Sequence, residues 1–525
     1  MRFFITTLTA VLLSTSISYA NVIQEQSSED SVSDMHSIPL LNSLKNISKN
    51  NTYRAPYIHD LKNRYDVRTL FAESQDLPII DIQLTFNAGA ARDTEMQGGQ
   101  SGVANMAANL LDEGTKRYNA EEIVTVFEQT GASFSAKAYR DMFIVKLRVL
   151  ADPQKMETAL AMMIELLNNA TFKKSSIELV LSNTQVGQKQ LKENPSRLMG
   201  IQFQRAIYGK HPYAEPVTGT NGSIKNITPE LLQKFRDRYL VSQNMNIAIT
   251  GKLTPRQALK LSEKITRNLK QGEKAAPLPS TQLQTGFNIQ HIRYTSNQAH
   301  VMMGHLGTVY SDPDRLALSI ANQMFGGSGF NSVLMKELRI KRGYTYGAYS
   351  SFGFSQAPGT FSLSYSTRQD QLINSIQVAH KALLDFVNHP IDKKQLRETK
   401  AGMLRAFPNT YRSNASINAQ LGSIGFYQLP ASYLSQYQQL LEKISADDVQ
   451  KAVRKYIHPQ DMTLVIVSEE LDKENLKLML QRNSDPSYKP DTISPVKKTE
   501  ATDPQVPLQE AVLPDEVQSD APASV

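Results

Sequence analysis

The chain has 525 residues, 40% hydrophobic and 20% charged, with a formal net charge of +7. That is enough apolar material to bury large cores, which excludes a wholly disordered chain; at about one domain per 150 residues it predicts roughly three to four units. With no cysteine, a disulfide framework, a thiolate metal site, an iron–sulfur cluster and a Cys nucleophile are excluded together, and a mean hydropathy of −0.36 excludes a polytopic membrane protein.

Residues 1–20 combine Arg2, an apolar run from Phe3 to Leu13 and a closing Ser18-Tyr19-Ala20. This is the order of an export signal: a positive start, a short apolar core and a small-x-Ala cleavage site. The run falls short of the roughly 20 residues that span a bilayer; an N-terminal membrane anchor is the alternative. The expectation is cleavage after Ala20 and export, and a cysteine-free chain suits a bacterial periplasm. Residues 21–54 are polar and Ser/Asn-rich, a leader arm.

Pro78–Phe86 alternates apolar and polar residues as a half-buried strand does, and it ends at Asn87-Ala88-Gly89. A helix is predicted over Ser101–Leu111, with further helices near 120–130, 153–168 and 174–193. Residues 227–253 then match 444–470 at an offset of 217. Each copy opens on a Thr or Ser helix cap followed by acids, runs through an amphipathic helix to Tyr239 or Tyr456, and turns through Gln243 or Gln460 into an apolar strand. Helix–turn–strand is a common unit, so chance likeness is the alternative; the matched order and spacing favour duplication. The reading is two α+β halves, residues 55–270 and 288–482, joined by a Gly- and Pro-bearing linker over 271–287. Residues 483–525 hold eight acids, three lysines and seven prolines, a composition that predicts a disordered acidic tail. The basic remainder lacks an arginine-rich run and any nucleic-acid motif, so no nucleic-acid partner is expected.

Several stretches resemble one family. Asn87-Ala-Gly-Ala-Ala-Arg-Asp93, Gly102-Val-Ala-Asn-Met-Ala-Ala-Asn-Leu-Leu-Asp-Glu-Gly-Thr115 and Tyr208-Gly-Lys-His-Pro-Tyr213 are similar to the first half of insulinase/pitrilysin zinc peptidases, which include mitochondrial processing peptidase. Phe325-Gly-Gly-Ser-Gly329 and Leu338-Arg-Ile-Lys-Arg-Gly-Tyr-Thr-Tyr346 resemble its second half. The likeness covers about residues 57–475. It implies two homologous halves, each a mostly antiparallel sheet with helices packed on it, forming a clam with peptide bound between them.

The decisive positions depart from the family pattern. Its metal helix carries His-x-x-Glu-His, in which two imidazoles bind zinc and the Glu activates water. Those positions are Asn105, Ala108 and Asn109 here. An amide is a poor zinc ligand and a methyl is none. The family's third ligand is a Glu on a later helix, yet Leu179–Lys192 contains no acid. No cofactor is therefore expected in this chain. Among nine histidines, His300 and His305 sit at an odd separation, which places them on opposite faces of a strand. His211, before Pro212, reads as a structural hydrogen-bonding group.

The second half keeps Arg339 and Tyr346, seven apart around Gly343. In the family such a pair reaches across to the substrate backbone and the developing oxyanion, and guanidinium and phenol are donors suited to carbonyl charge. The alternative is a solvated Arg and a packed Tyr. Gly326, Gly327 and Gly329 read first as a flexible helix connection and second as a peptide-contact loop; no phosphate-binding Gly-Lys-Ser/Thr follows them.

Three functions remain open. The favoured one is a zinc-free subunit that pairs with a zinc-bearing homologue to bind and hydrolyse peptides, with Arg339 and Tyr346 as its contribution to a composite site. The others are a non-hydrolytic peptide-binding or scaffold protein of the cell envelope, and a self-sufficient zinc metallopeptidase with an atypical site. No stable membrane span is expected after signal cleavage.

Overall fold

The computed structural model describes residues 55–96 and 100–485. The export signal, the polar arm and the tail beyond Asp485 lie outside the described residues. The final helix runs Lys473–Ser484, so Asn483 and Ser484, grouped with the tail by composition, close that helix instead.

Two sheets organise the chain. The first contains, in spatial order, β1 (Ile58–Lys62), β2 (Arg68–Glu73), β6 (Met245–Gly251), β3 (Ile79–Phe86), β5 (Phe143–Leu150) and β4 (Ser133–Ala138). The second contains β7 (Asn288–Arg293), β11 (Thr463–Ser468), β8 (Gln298–Leu306), β10 (Thr360–Arg368) and β9 (Ala348–Phe352). Once β1 is set aside, the two orders are one pattern. In each, the last strand in sequence inserts parallel to the first and antiparallel to the second. The sequence repeat supplies that inserted strand. Thr228 and Ser445 cap the helices Pro229–Tyr239 and Ala446–Tyr456 by accepting from the Leu231 and Asp448 amides, which satisfies donors that a helix start leaves open. Each helix is then followed by its strand, β6 or β11.

Each half also lends a helix to the other's sheet. Pro195–Tyr208 packs on β8 and β11, while Asn414–Phe426 packs on β2, β3 and β6. This exchange corrects the expectation for β3, which is buried from Ile80 to Phe86 rather than on alternate residues. Ile80, Ile82, Leu84 and Phe86 face the first half's core. Asp81, Gln83 and Thr85 lie under Asn414–Phe426, where the Asn418 amide donates to the Asp81 carbonyl (3.1 Å) and Asn246 donates to the Gly422 carbonyl (3.3 Å). Polar residues on a strand read as solvent-facing; here a helix that brings its own polar groups covers them. Gly422 is what permits the approach, since a Cβ there would stand 1.9 Å from Gln83 Nε2.

The reciprocal contact is apolar. Met199, Phe203 and Ile207 join Val465 and Val467 in one cluster, each large side chain contributing ~1.5–3 kcal/mol by burial. Polar groups reinforce the seam. Asp141 is buried and accepts from the Tyr213 hydroxyl and from the Gln356 amide (2.8 Å), while the Ala357 amide donates to the Tyr213 oxygen (3.2 Å). The segment 270–287 has no regular secondary structure, yet it is tied down. Gly272 N donates to Gln243 Oε1, Ala275 N to Asn244 Oδ1, and Gly286 N to Asp461 Oδ1.

Candidate functional site

The helix at the metal positions is shorter than predicted, Val103–Asn109 rather than Ser101–Leu111. Gly102 marks its start with φ +102°, a backbone conformation that glycine adopts without penalty. The side chain that satisfies this start is Asp93, which is wholly buried. Its two oxygens accept from Gly102 N (2.7 Å) and Ala104 N (2.9 Å). Burial pushes the Asp93 carboxyl up to about 8, against the pull of those amides. The helix packs against β4, the edge strand of the first sheet.

On this helix Asn105 is half-buried, Ala108 is buried and Asn109 is exposed. Two carboxamides and a methyl do not fit a zinc centre, which takes imidazole, thiolate or carboxylate. Among the described residues no group of three or more His, Asp or Glu side chains is placed to hold a metal ion. His300 and His305 serve separate networks. His300 Nδ1 meets the Ser366 hydroxyl at 2.8 Å. His305 is buried, with Nδ1 donating to the Leu306 carbonyl (2.8 Å) and Nε2 accepting from His458 N (3.0 Å). Burial holds His305 down at about 4. The His211 ring accepts from Tyr213 N (3.1 Å) and donates to the Pro279 carbonyl (3.1 Å), so it pins the connecting segment.

Arg339 and Tyr346 meet, though not as two free donors. Arg339 lies in a π-helical turn, Met335–Ile340, a rare geometry often found at functional sites. Its Nη1 donates to the backbone carbonyl of Tyr346 at 2.7 Å. The Tyr346 side chain points into solvent, 86% exposed. Both residues belong to the second half, and Tyr346 lies two residues before the edge strand β9. Among the described residues neither shares a hydrogen bond with Val103–Asn109.

The three glycines have different roles. Gly326 and Gly327 are buried at the end of the helix Arg315–Gly326. A Cβ on Gly326 would stand 2.5 Å from Ser350 N on β9, and one on Gly327 would stand 2.4 Å from Gln323. These two permit close packing. Only Gly329 is exposed, with φ +127° and open space around it. Sequence reasoning missed the residue that follows. Phe330 is 59% exposed, and the Arg339 guanidinium sits 4.7 Å from its ring centroid, a cation–π contact. An aromatic residue directly after a Gly-rich turn was the available signal.

Comparison with known proteins places this arrangement. The family model for the insulinase family, peptidase family M16, matches residues 68–221, and that for the peptidase M16 inactive domain matches 226–403. An uncharacterized zinc protease of Rickettsia felis is 23% identical over 406 residues, covering 76% of this chain and 94% of that protein. The non-peptidase homolog YmxG of Helicobacter pylori is 23% identical over 413 residues, covering 78% and 94%. A crystal structure of a peptidase M16 inactive domain from Pseudomonas fluorescens superposes with a TM-score of 0.74 at 31% identity, covering 79% of this chain and 98% of that one. No helix among the described residues is long and apolar enough to cross a membrane. Two sheets of one topology with helices packed on them agree with these matches: the chain belongs to the insulinase family, peptidase family M16.

Proposed function

We propose that this chain is a zinc-free, exported member of the family that pairs with a zinc-bearing homologue. The composite of the two binds and hydrolyses peptides. The observation that carries this reading is the donor set Asn105, Ala108 and Asn109, in which two amides and a methyl stand where a metal and a general base would be needed. Loss of the base alone costs about 10²–10⁴ in rate. What this chain contributes is binding. Arg339 supplies a guanidinium beside an exposed tyrosine, suited to a peptide carbonyl. The edge strand β4, which among the described residues pairs only with β5, offers a row of backbone groups to an extended peptide. The N-terminal pattern of residues 1–20 supports export to the periplasm.

The test is co-expression with a homologue bearing an intact His-x-x-Glu-His. The expected result is a peptidase that a chelator abolishes, that neither chain gives alone, and that Arg339→Ala weakens by about 10²-fold or more. One tightly bound zinc together with hydrolysis by the lone chain would overturn the reading. A second reading, a non-hydrolytic binding protein, is favoured by the name of the Helicobacter pylori relative; it prevails if the partner's activity is indifferent to this chain while a peptide still binds to it.

A further inference from the structure

Four of the large apolar side chains left exposed fall within twenty residues of one another: Phe330 (59%), Ile340 (59%), Tyr346 (86%) and Tyr349 (49%). Arg339 ties them together, with its guanidinium over Phe330 and bonded to the Tyr346 carbonyl, and Tyr349 lies against Gly347. The same turn carries Lys336, Lys341 and Arg342 against one carboxylate, Glu337. Glu337 is already engaged by Lys341 and Arg342. The surface is therefore aromatic and carries a local charge of +3, with Lys336 exposed. Its complement is a peptide with both apolar side chains and excess carboxylate.

This chain contains such a peptide. Residues 508–520, LQEAVLPDEVQSD, hold Glu510, Asp515, Glu516 and Asp520, with Leu508, Val512, Leu513 and Val517 between them. No Lys or Arg follows Lys498. Reach is sufficient. The 25 residues from Asp485 to Glu510 can extend ~75 Å at ~3 Å per residue, against a diameter of ~55–60 Å for a folded body of this size.

We propose that residues 508–520 dock on the Phe330–Arg339–Tyr346 surface of their own chain and compete there with other peptides. This rests on the reading of that surface as a peptide contact and adds its regulation. Carboxylates around the Val512-Leu513 pair meet Lys336 and the cationic turn, while the two aliphatic side chains cover Phe330. The attraction between exposed charges weakens with salt.

Zero-length carbodiimide coupling in the full chain at low ionic strength tests it. The expected products are isopeptide bonds from Glu510, Asp515 or Glu516 to Lys336 or Lys341, formed within one chain in a mixture of ¹⁴N- and ¹⁵N-labelled protein. Their yield should fall at least fivefold in 0.5 M salt. It should fall as far in Val512→Ser with Leu513→Ser, a pair outside the described fold that leaves every coupling site in place. Phe330→Ser should lower it too. Coupling to Lys393 or Lys394 instead, coupling only between chains, or a yield indifferent to Val512→Ser with Leu513→Ser would overturn the proposal. None of these outcomes depends on hydrolysis. The co-expression assay separately tests the subunit reading, so the two failures are distinguishable.

Discussion

The seam between the halves rests on a buried carboxylate, and removing it should uncouple them. Asp141 and Tyr213 come from the first half, while Gln356 and Ala357 come from the second. Asp141→Ala leaves the Tyr213 hydroxyl and the Gln356 amide without their acceptor. Each buried orphan costs about 1–3 kcal/mol, hence ~2–6 kcal/mol together. Part of that is offset, because burial holds the Asp141 carboxyl above its ordinary range and the alanine removes this strain. The net expectation is ~1–4 kcal/mol. Tyr213→Phe removes a hydrogen bond to a carboxylate, worth ~1.5–3 kcal/mol, together with the acceptor of the Ala357 amide. The two changes share one contact, so a double-mutant cycle should show a coupling of ~1–3 kcal/mol. The chain has no Trp and 21 Tyr, so urea unfolding is followed by tyrosine fluorescence and far-ultraviolet circular dichroism. The parent should unfold in one transition and Asp141→Ala in two, as the halves part. A loss below ~1 kcal/mol for Asp141→Ala, or a coupling below ~0.5 kcal/mol, would refute the latch.

Other expectations follow from single residues. His305 and His380 are buried and held at about 4, below the 6.5 of a free imidazole. Their folded values are depressed, so their stability is present above pH 6.5 and is lost as pH falls towards 4, by up to ~3 kcal/mol each. His305→Asn should flatten this acid limb in urea midpoints measured from pH 4 to 7. Asp93 has the opposite sign: its value is raised to about 8, so its contribution is present below the ordinary carboxylate range and is lost as pH rises towards 8, and Asp93→Asn should flatten that slope. Gly422→Ala should destabilise by ~1–3 kcal/mol through overpacking on Gln83. Gly402→Ala, whose Cβ meets nothing nearer than 3.9 Å in a helix, should stabilise by up to ~1 kcal/mol in the same assay. Asn105→His with Asn109→His places two imidazoles one helical turn apart; weak zinc binding by chelator competition is expected, with no peptidase activity, because Leu179–Lys192 supplies no acid.

What the sequence reveals and what it hides divides along a physical line. The departure from the family's metal motif is legible because it concerns the donor chemistry of Asn105, Ala108 and Asn109, which no tertiary context alters. The duplication is legible because capping and strand insertion are local, repeated at Thr228 and Ser445. The second cover on β3 is not legible, since it comes from residues more than 300 positions away. The Arg339–Tyr346 pair is half legible: the spacing brings the two together, but the π-helical turn aims the guanidinium at a main-chain carbonyl. The exchanged helices then bear on whether the two halves can part. Opening this chain as a clam between its own halves would strip Asn414–Phe426 from Asp81, Gln83 and Asn246, and Phe203 from Gly304. That breaks the Asn418–Asp81 and Asn246–Gly422 hydrogen bonds and exposes an apolar cluster worth several kcal/mol. Such a seam resists hinging. Two surfaces stay exposed in different halves, the β4 edge beside Val103–Asn109 and the aromatic turn around Arg339.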